Sequence, residues 1–279
     1  MEDENFTPIP CVAQLPTYVR CNPAISESVI AVRGLVEKLR LLIEKQKANQ
    51  LVAKKLSSTV QPNINYELEV RMRVSDILFE NILASFLVYD KWVEDPTWVT
   101  IYDIYHKVGD EIVRTSRTFH VNGQISEPEH MMKKVIDTVD LDVRKTGNEE
   151  IPSLRVQLSS ECAVEKVPDA TKQTFARIKN RKVFRLQHYA YHLTITSEGA
   201  DMEKATANQK NDIRTFEIEI ELEKPEMEIA AKKSDDLQVA TNLMLKVFSP
   251  FLAHYGPHLF FEWKIADKKK TMTTTTTKK

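Results

Sequence analysis

The chain has 279 residues, 42% of them hydrophobic and 28% charged, which suits one large domain with accessory segments better than two equal domains. Its 39 basic and 40 acidic side chains nearly cancel, so there is no general positive field and any contact with nucleic acid must come from a local patch. Cys11, Cys21 and Cys162 are too few and too scattered for a disulfide framework or a zinc cluster, and the seven histidines contain no HExxH, so the composition points to a reducing compartment.

Residues 1–20 lack a charged start followed by an apolar stretch, and apolar runs such as Ile82 to Tyr89 are too short to span a bilayer, so a soluble, intracellular protein with no membrane contact is expected. Asn22 followed by Pro23 is a cap with a first-turn proline, and Val29, Val32, Val36, Leu39 and Ile43 then recur at helical spacing. One amphipathic helix is expected from Asn22 to Gln50, within an N-terminal segment 1–58 that ends where Ser, Thr, Pro and Asn cluster over Ser57–Asn65. The main domain is expected over 59–266. Its dominant period is two, with strand-like runs at Tyr66–Val74, Thr97–Tyr105, Glu111–His120, Met131–Asp140, Ser153–Val164, Lys182–Thr196 and Arg214–Glu223. Ser75 and Asp76 open a helix rich in Ile, Leu and Phe, and Asp235 to Phe248 reads as a second helix ended by Pro250. The fold class expected from seven such runs is α+β, mainly antiparallel β, a barrel with helices packed outside. The lysines and threonines of 267–279 predict a disordered tail.

The chemistry sits in the alternating runs. Tyr66, Leu68, Val70 and Met72 fall on one face of the first strand, and Glu67, Glu69, Arg71 and Arg73 on the other. Phe216, Ile218, Ile220 and Leu222 likewise oppose Glu217, Glu219, Glu221 and Glu223. Four like charges on one strand face repel unless solvent or a cation compensates them. Two solvated faces over an ordinary core would explain either run alone. If both strands instead turn their apolar faces outward beneath helices, the carboxylates converge on a lumen and form an all-oxygen site suited to Mg²⁺ or Mn²⁺. Arg155, Gln157, Ser159 and Glu161 share one face of another run, and Arg177, Lys179 and Arg181 share a face in a third. Such cations opposite a carboxylate-bound metal suit a narrow polyanion such as a triphosphate, whereas in isolation they would be a solvated basic strand. GxxxxGK[ST] and GxGxxG are both absent. His254 and His258, and Trp92, Trp98 and Trp263, are expected to be structural.

These motifs resemble those of the metal-dependent RNA triphosphatases of fungi, protozoa and some large DNA viruses, the mRNA-capping members of the triphosphate-tunnel superfamily. Glu67 and Glu69 match the family's first ExE strand, and Glu217, Glu219 and Glu221 its last, ExExE. The run Arg155 to Glu161 resembles its basic-x-S-L-x-L-E strand, and Arg177-Ile178-Lys179-Asn180-Arg181 matches R-x-K-x-R, so the resemblance covers roughly residues 60 to 225. Where the family has I-D-I-T, this chain has Leu193-Thr194-Ile195-Thr196.

The resemblance implies an eight-stranded triphosphate tunnel that hydrolyses the γ-phosphate of 5′-triphosphate RNA by in-line attack of water. It implies metal ligation by Glu67, Glu69, Glu217, Glu219 and Glu221. Arg155, Arg177, Lys179 and Arg181 would clamp phosphate, and Glu161 would orient water or brace a basic neighbour. Arg114 or Arg117, Lys133 or Lys134, and Thr196 would complete the substrate site. Inorganic polyphosphate or thiamine triphosphate as substrate, or a catalytically inactive triphosphate-binding module, are the alternatives. The guanylyltransferase signature KxDG does not occur, so a separate RNA guanylyltransferase is the expected partner and the nucleus the expected location. The long N-terminal helix is open to that partner, to a second copy in a homodimer, or to its own barrel.

Overall fold

The computed structural model describes residues 23–55, 64–89, 91–94, 96–145, 152–167, 171–186, 188–223, 225, 229, 235–255 and 261–265. The expectations for Cys11, Cys21, His258, the 57–63 boundary and the 267–279 tail lie outside these residues, and those for the side chains of His254 and Trp263 do as well. In chain order the elements are α1 (Pro23–Lys55), β1 (Asn65–Val74), α2 (Asp76–Val88), β2 (Trp98–Val108), β3 (Glu111–His120), β4 (Glu129–Lys145) and β5 (Leu154–Ala163). They continue with β6 (Lys172–Arg185), β7 (Tyr189–Gly199), α3 (Met202–Lys210), β8 (Thr215–Leu222), α4 (Asp236–Tyr255) and β9 (Phe261–Ile265).

Eight strands form a closed antiparallel barrel in the order β3-β2-β6-β7-β8-β1-β5-β4, with β4 pairing back onto β3 over Val113↔Met132 to Ser116↔Glu129. Strand β9 pairs with the far part of β4, from Leu141↔Ile265 to Lys145↔Phe261.

The apolar core lies outside this wall. Leu68, Val70 and Met72 of β1, Val156 and Leu158 of β5, and Ile218 and Ile220 of β8 are all buried in one cluster with residues of α1, α2 and α4. The alternation of β1 and β8 therefore turns their large apolar side chains toward the helices and their charges inward, because a strand has only two faces. Val29, Val32, Val36, Leu39 and Ile43 form the buried stripe of α1, which packs on its own barrel. An ion pair from Arg40 Nε to Asp236 Oδ1 (3.2 Å) ties α1 to the first turn of α4. The Ser75 hydroxyl caps α2 by accepting from the Leu78 backbone N–H, as the sequence predicts. Trp92 and Trp98 pack against the core.

Two expectations are corrected, and one element is new. The run Lys182–Thr196 is not one strand: β6 ends at Arg185, and the Leu186 N–H donates to the Tyr189 carbonyl to close a turn into β7. No Gly, Pro or Asn marks that turn, so the alternation reads straight through it. The last helix does not stop at Pro250 but continues to Tyr255. Proline leaves the carbonyl four residues earlier without its helical donor, and here that carbonyl, of Lys246, accepts from the Tyr191 hydroxyl (3.1 Å) and the Ser249 hydroxyl (3.3 Å). The short polar helix α3 was not foreseen. It packs so tightly on the end of β7 that a Cβ on Gly199 would lie 2.4 Å from the Ala205 backbone nitrogen.

Candidate active site

The register makes the lumen legible strand by strand. Across β1 and β8, Glu69 stands opposite Glu221, Arg71 opposite Glu219 and Arg73 opposite Glu217. On the other side of β1, Glu67 faces Ser159 and Glu69 faces Gln157 of β5. Next along the wall, His192 and Thr194 of β7 stand opposite Glu219 and Glu217, and Thr194 and Thr196 stand opposite Arg181 and Lys179 of β6. Arg177 opposes Asp103 of β2, which opposes Ser116 of β3. Opposed residues share a face, so these side chains line one interior.

Acids crowd one side of it. Burial pushes the Glu69 carboxyl well up, helped by the nearby Glu219 carboxylate. Burial likewise pushes Glu221 up to about 8, and Glu67, Glu219 and Glu69 add to the rise. Glu219 goes the other way: burial would raise it, but Arg181 (3.3 Å) and Arg71 (3.6 Å) outweigh that and hold it well below the carboxylate range. The Lys133 ammonium lies between the carboxylates of the first strand, 2.6 Å from Glu67 and 3.3 Å from Glu69, and 3.7 Å from Glu161.

Cations line the facing wall. Lys179 pairs with Asp103 at 2.5 Å, and the Ser116 hydroxyl donates to the same carboxylate at 2.6 Å. Burial would raise the Asp103 carboxyl, but Lys179 and Arg114 outweigh it and hold it below its ordinary value. Burial drives the Lys179 ammonium down to about 8 against the pull of Asp103, and Arg181 and Arg114 contribute to the fall. Arg114 lies 3.6 Å from Glu161, and Arg177 is 2.8 Å from Glu198. Arg181 donates from Nε to the Thr194 hydroxyl at 3.0 Å and from Nη1 to His192 Nδ1 at 3.1 Å.

That last contact decides the role of His192. Its ligand atoms and those of Glu219 and Glu221 all lie within 4.8 Å of one another, close enough to hold a metal ion. Arginine can only donate, so Nδ1 is the acceptor and the proton of the neutral ring sits on Nε2. Burial, with Arg181, keeps the ring neutral by driving its pKa down to about 3. While Arg181 stays in place, His192 is a hydrogen-bond donor and not a ligand. Glu219 and Glu221 supply two of those ligand atoms, and Glu67 and Glu69 lie near enough to help raise Glu221, so a hard divalent cation there would relieve the mutual repulsion of these oxygen donors.

Of the residues singled out from sequence, Glu67, Glu69, Glu161, Glu217, Glu219, Glu221, Arg114, Lys133, Arg177, Lys179, Arg181 and Thr196 are brought to the lumenal face. Glu217 pairs with Arg73 at 3.3 Å, and the same guanidinium lies 3.9 Å from Glu198. Arg117 and Lys134 have the wrong parity: each neighbours a lumenal residue, points outward and is exposed. Arg155 is on the lumenal face but 59% exposed and tied to Asp140 at 2.7 Å, away from the cluster. Sequence reasoning did not single out Asp103, Tyr105 and His192, and noted Arg71 only as a charge on its strand.

Several lumenal polar atoms lack a partner. Arg71 Nε, Arg114 Nε, Arg177 Nε, Ser159 Oγ, His192 Nε2 and Thr196 Oγ1 are buried and make no hydrogen bond. All six carry a proton to donate, and a buried donor left unsatisfied costs roughly 1–3 kcal/mol.

No family model matches the sequence, and no curated protein does. Among solved structures, the S. pombe Pct1 RNA triphosphatase is similar, with a TM-score of 0.50 at 12% identity over 74% of this chain and 92% of that one. The Mimivirus capping enzyme triphosphatase has a TM-score of 0.47 at 13% identity over 73% of this chain and 96% of that one. At such identity the first likeness shows a shared fold and nothing further, and the second, with the lower score, adds no argument.

Proposed function

We propose that this chain is a metal-dependent RNA 5′-triphosphatase, which removes the γ-phosphate from triphosphate-ended RNA and leaves a 5′-diphosphate end, the first step of mRNA capping. The observation that carries this reading is the set of six unpartnered lumenal donors facing a carboxylate cluster. An acceptor-only polyanion of small cross-section satisfies donors on several walls at once, and a triphosphate is such a group. The order and spacing of the ExE, basic and ExExE motifs support the same reading.

Phosphoryl transfer depends on positioning and on neutralising charge. In this reading Arg177, Lys179 and Arg181 hold phosphate oxygens from β6, and Arg71 and Arg114 hold them from β1 and β3. Their side chains are already fixed by Glu198, Asp103, Glu219, Glu69 and Glu161, so little reorganisation is needed when substrate enters. Glu161 braces Arg114 and Lys133. Thr196 and Ser159 donate hydroxyl protons, and His192 donates from Nε2. A divalent ion, Mg²⁺ or Mn²⁺, held by Glu67, Glu69, Glu219 and Glu221 would supply charge neutralisation at the transferring phosphoryl group. Glu217 orients Arg73.

The reading places the protein with nascent transcripts in the nucleus, beside a separate RNA guanylyltransferase. Among the described residues no helix is long and apolar enough to cross a membrane. The outer side of α1 exposes Ile30, Leu41 and Leu51, a surface open to the guanylyltransferase or to a second copy. The test is substrate preference. Triphosphate-ended RNA should be hydrolysed in preference to inorganic tripolyphosphate and thiamine triphosphate; preference for either small substrate would make this a tunnel phosphohydrolase of another kind. Binding without phosphate release would make it an inactive module.

A further inference from the structure

The phosphate site described above leaves the nucleoside end of the substrate unaccounted for. One rim of the barrel, where β2 ends and β3 and β6 begin, carries aromatic side chains on the lumenal face. Phe175 of β6 stands opposite Tyr105 of β2, which stands opposite Arg114 of β3. The Phe175 and Tyr105 ring centroids are 5.7 Å apart, with their planes at 50°. The Arg177 guanidinium lies over both rings, 5.2 Å from the Phe175 centroid and 5.8 Å from that of Tyr105.

Among the described residues, Phe175 and Tyr105 belong to neither hydrophobic cluster, so their rings stand apart from the described core. Both are half-buried. The backbone is also irregular here: the register steps from Tyr105↔Phe175 to His106↔Gln173, which leaves Thr174 as an extra residue whose hydroxyl donates to the Tyr105 carbonyl (3.2 Å). A bulge bends its strand and re-aims the side chains beside it.

Alternation places Phe175, Arg177, Lys179 and Arg181 on one face, so Phe175 stands at the outer end of the row of cations assigned above to phosphate. At about 3.3 Å of rise per residue, Phe175 lies roughly 13 Å from Lys179 along the strand, room for a triphosphate with its nucleoside beyond it. Aromatic faces next to a cationic groove are what single-stranded nucleic acid recognition requires, because every base offers a π-face. The buried, unpartnered Nε of Arg177 is available to the α-phosphate or to an acceptor on the sugar.

We propose that Phe175, flanked by Tyr105 and Arg177, seats the base of the first nucleotide and so makes the tunnel prefer a nucleoside-linked triphosphate over a naked polyphosphate. This rests on the phosphate site of the proposed function. It does not require hydrolysis, so the two can fail separately.

The probe is the β,γ-methylene analogue of 2-aminopurine ribonucleoside triphosphate, which stays intact and whose fluorescence falls when its base stacks, with inorganic tripolyphosphate as competitor. Wild-type protein with Mg²⁺ should quench the probe and bind it more tightly than tripolyphosphate. Loss of one aromatic stacking partner weakens binding by about 5-fold to 150-fold, so Phe175→Ala should raise the Kd of the probe at least fivefold more than that of tripolyphosphate. Phe175→Trp should restore the preference. An equal rise for both ligands would reduce Phe175 to a structural role, and no change for either would leave the base unseated; each overturns the proposal. A probe bound by wild-type protein no better than tripolyphosphate overturns it even if RNA is hydrolysed. Failure to release phosphate from RNA while the probe is still quenched would count against the phosphatase reading alone.

Discussion

Glu221→Gln removes one negative charge from the acidic side of the lumen at nearly constant shape. In the ion-free protein, burial with Glu67, Glu219 and Glu69 raises this carboxyl from 4.5 to about 8. Between those values the folded chain holds a proton that the unfolded chain has released, so the contribution to stability is whole below about pH 4.5 and is lost as pH rises through about 8. At 1.36 kcal/mol per unit, the full loss is about 5 kcal/mol as an upper bound. Water entry and movement of Arg71 and Arg181 reduce it, leaving about 2 kcal/mol or more at pH 9. Glutamine does not titrate. In EDTA at pH 9, Glu221→Gln should therefore melt about 4 to 8 °C above wild type, with a much smaller gap at pH 5. Excess Mn²⁺ at pH 9 should reverse the order, because the cation binds only the assembled site and binds a carboxylate more strongly than an amide. Thermal melts under these three conditions make the measurement. If the variant is no more stable than wild type in EDTA at pH 9, the lumen carries no acidic strain and the argument for a divalent cation loses its basis.

Replacing Glu69 or Glu219 by Ala should lower the rate of phosphate release by at least about 10²-fold, or 2.7 kcal/mol, since each lies at the centre of the carboxylate cluster. Arg155→Ala, at an exposed arginine tied to Asp140, should cost less than about threefold; steady-state kinetics of folded variants decides both. Thr194→Ala should cost under about tenfold, because the Thr194 hydroxyl is a neutral acceptor for Arg181, which keeps Glu219 and His192 as partners. A loss at Thr194 as large as that at Glu219 would make Thr194 a direct contact of the phosphate.

Much of the barrel was legible because β1 and β8 alternate cleanly, and their apolar faces turn outward beneath the helices while their charges enter the lumen. Parity limited the rest. Whether Arg114 or Arg117, and Lys133 or Lys134, enters the lumen depends on which residue of the neighbouring strand it opposes. The pairing of Tyr105 with Arg114 and of Glu161 with Lys133 is long-range and leaves no local trace. His192 and Asp103 are single polar residues in apolar runs, which a core histidine or an edge acid would match equally well. Between Arg185 and Tyr189 the sequence contains none of the residues that announce a break between strands. Pro250 is accommodated where Tyr191, distant in sequence, and Ser249 both donate to the carbonyl it leaves free.

In the proposed reading the lumen hydrolyses a triphosphate end with the help of a divalent cation. Release of labelled phosphate from γ-labelled triphosphate RNA, followed with Mg²⁺ or Mn²⁺ and again in EDTA, tests it most directly. Release should occur with either metal and be lost in EDTA, and the labelled product should be inorganic phosphate and not pyrophosphate. Pyrophosphate as product, or release that persists undiminished in EDTA, would contradict it.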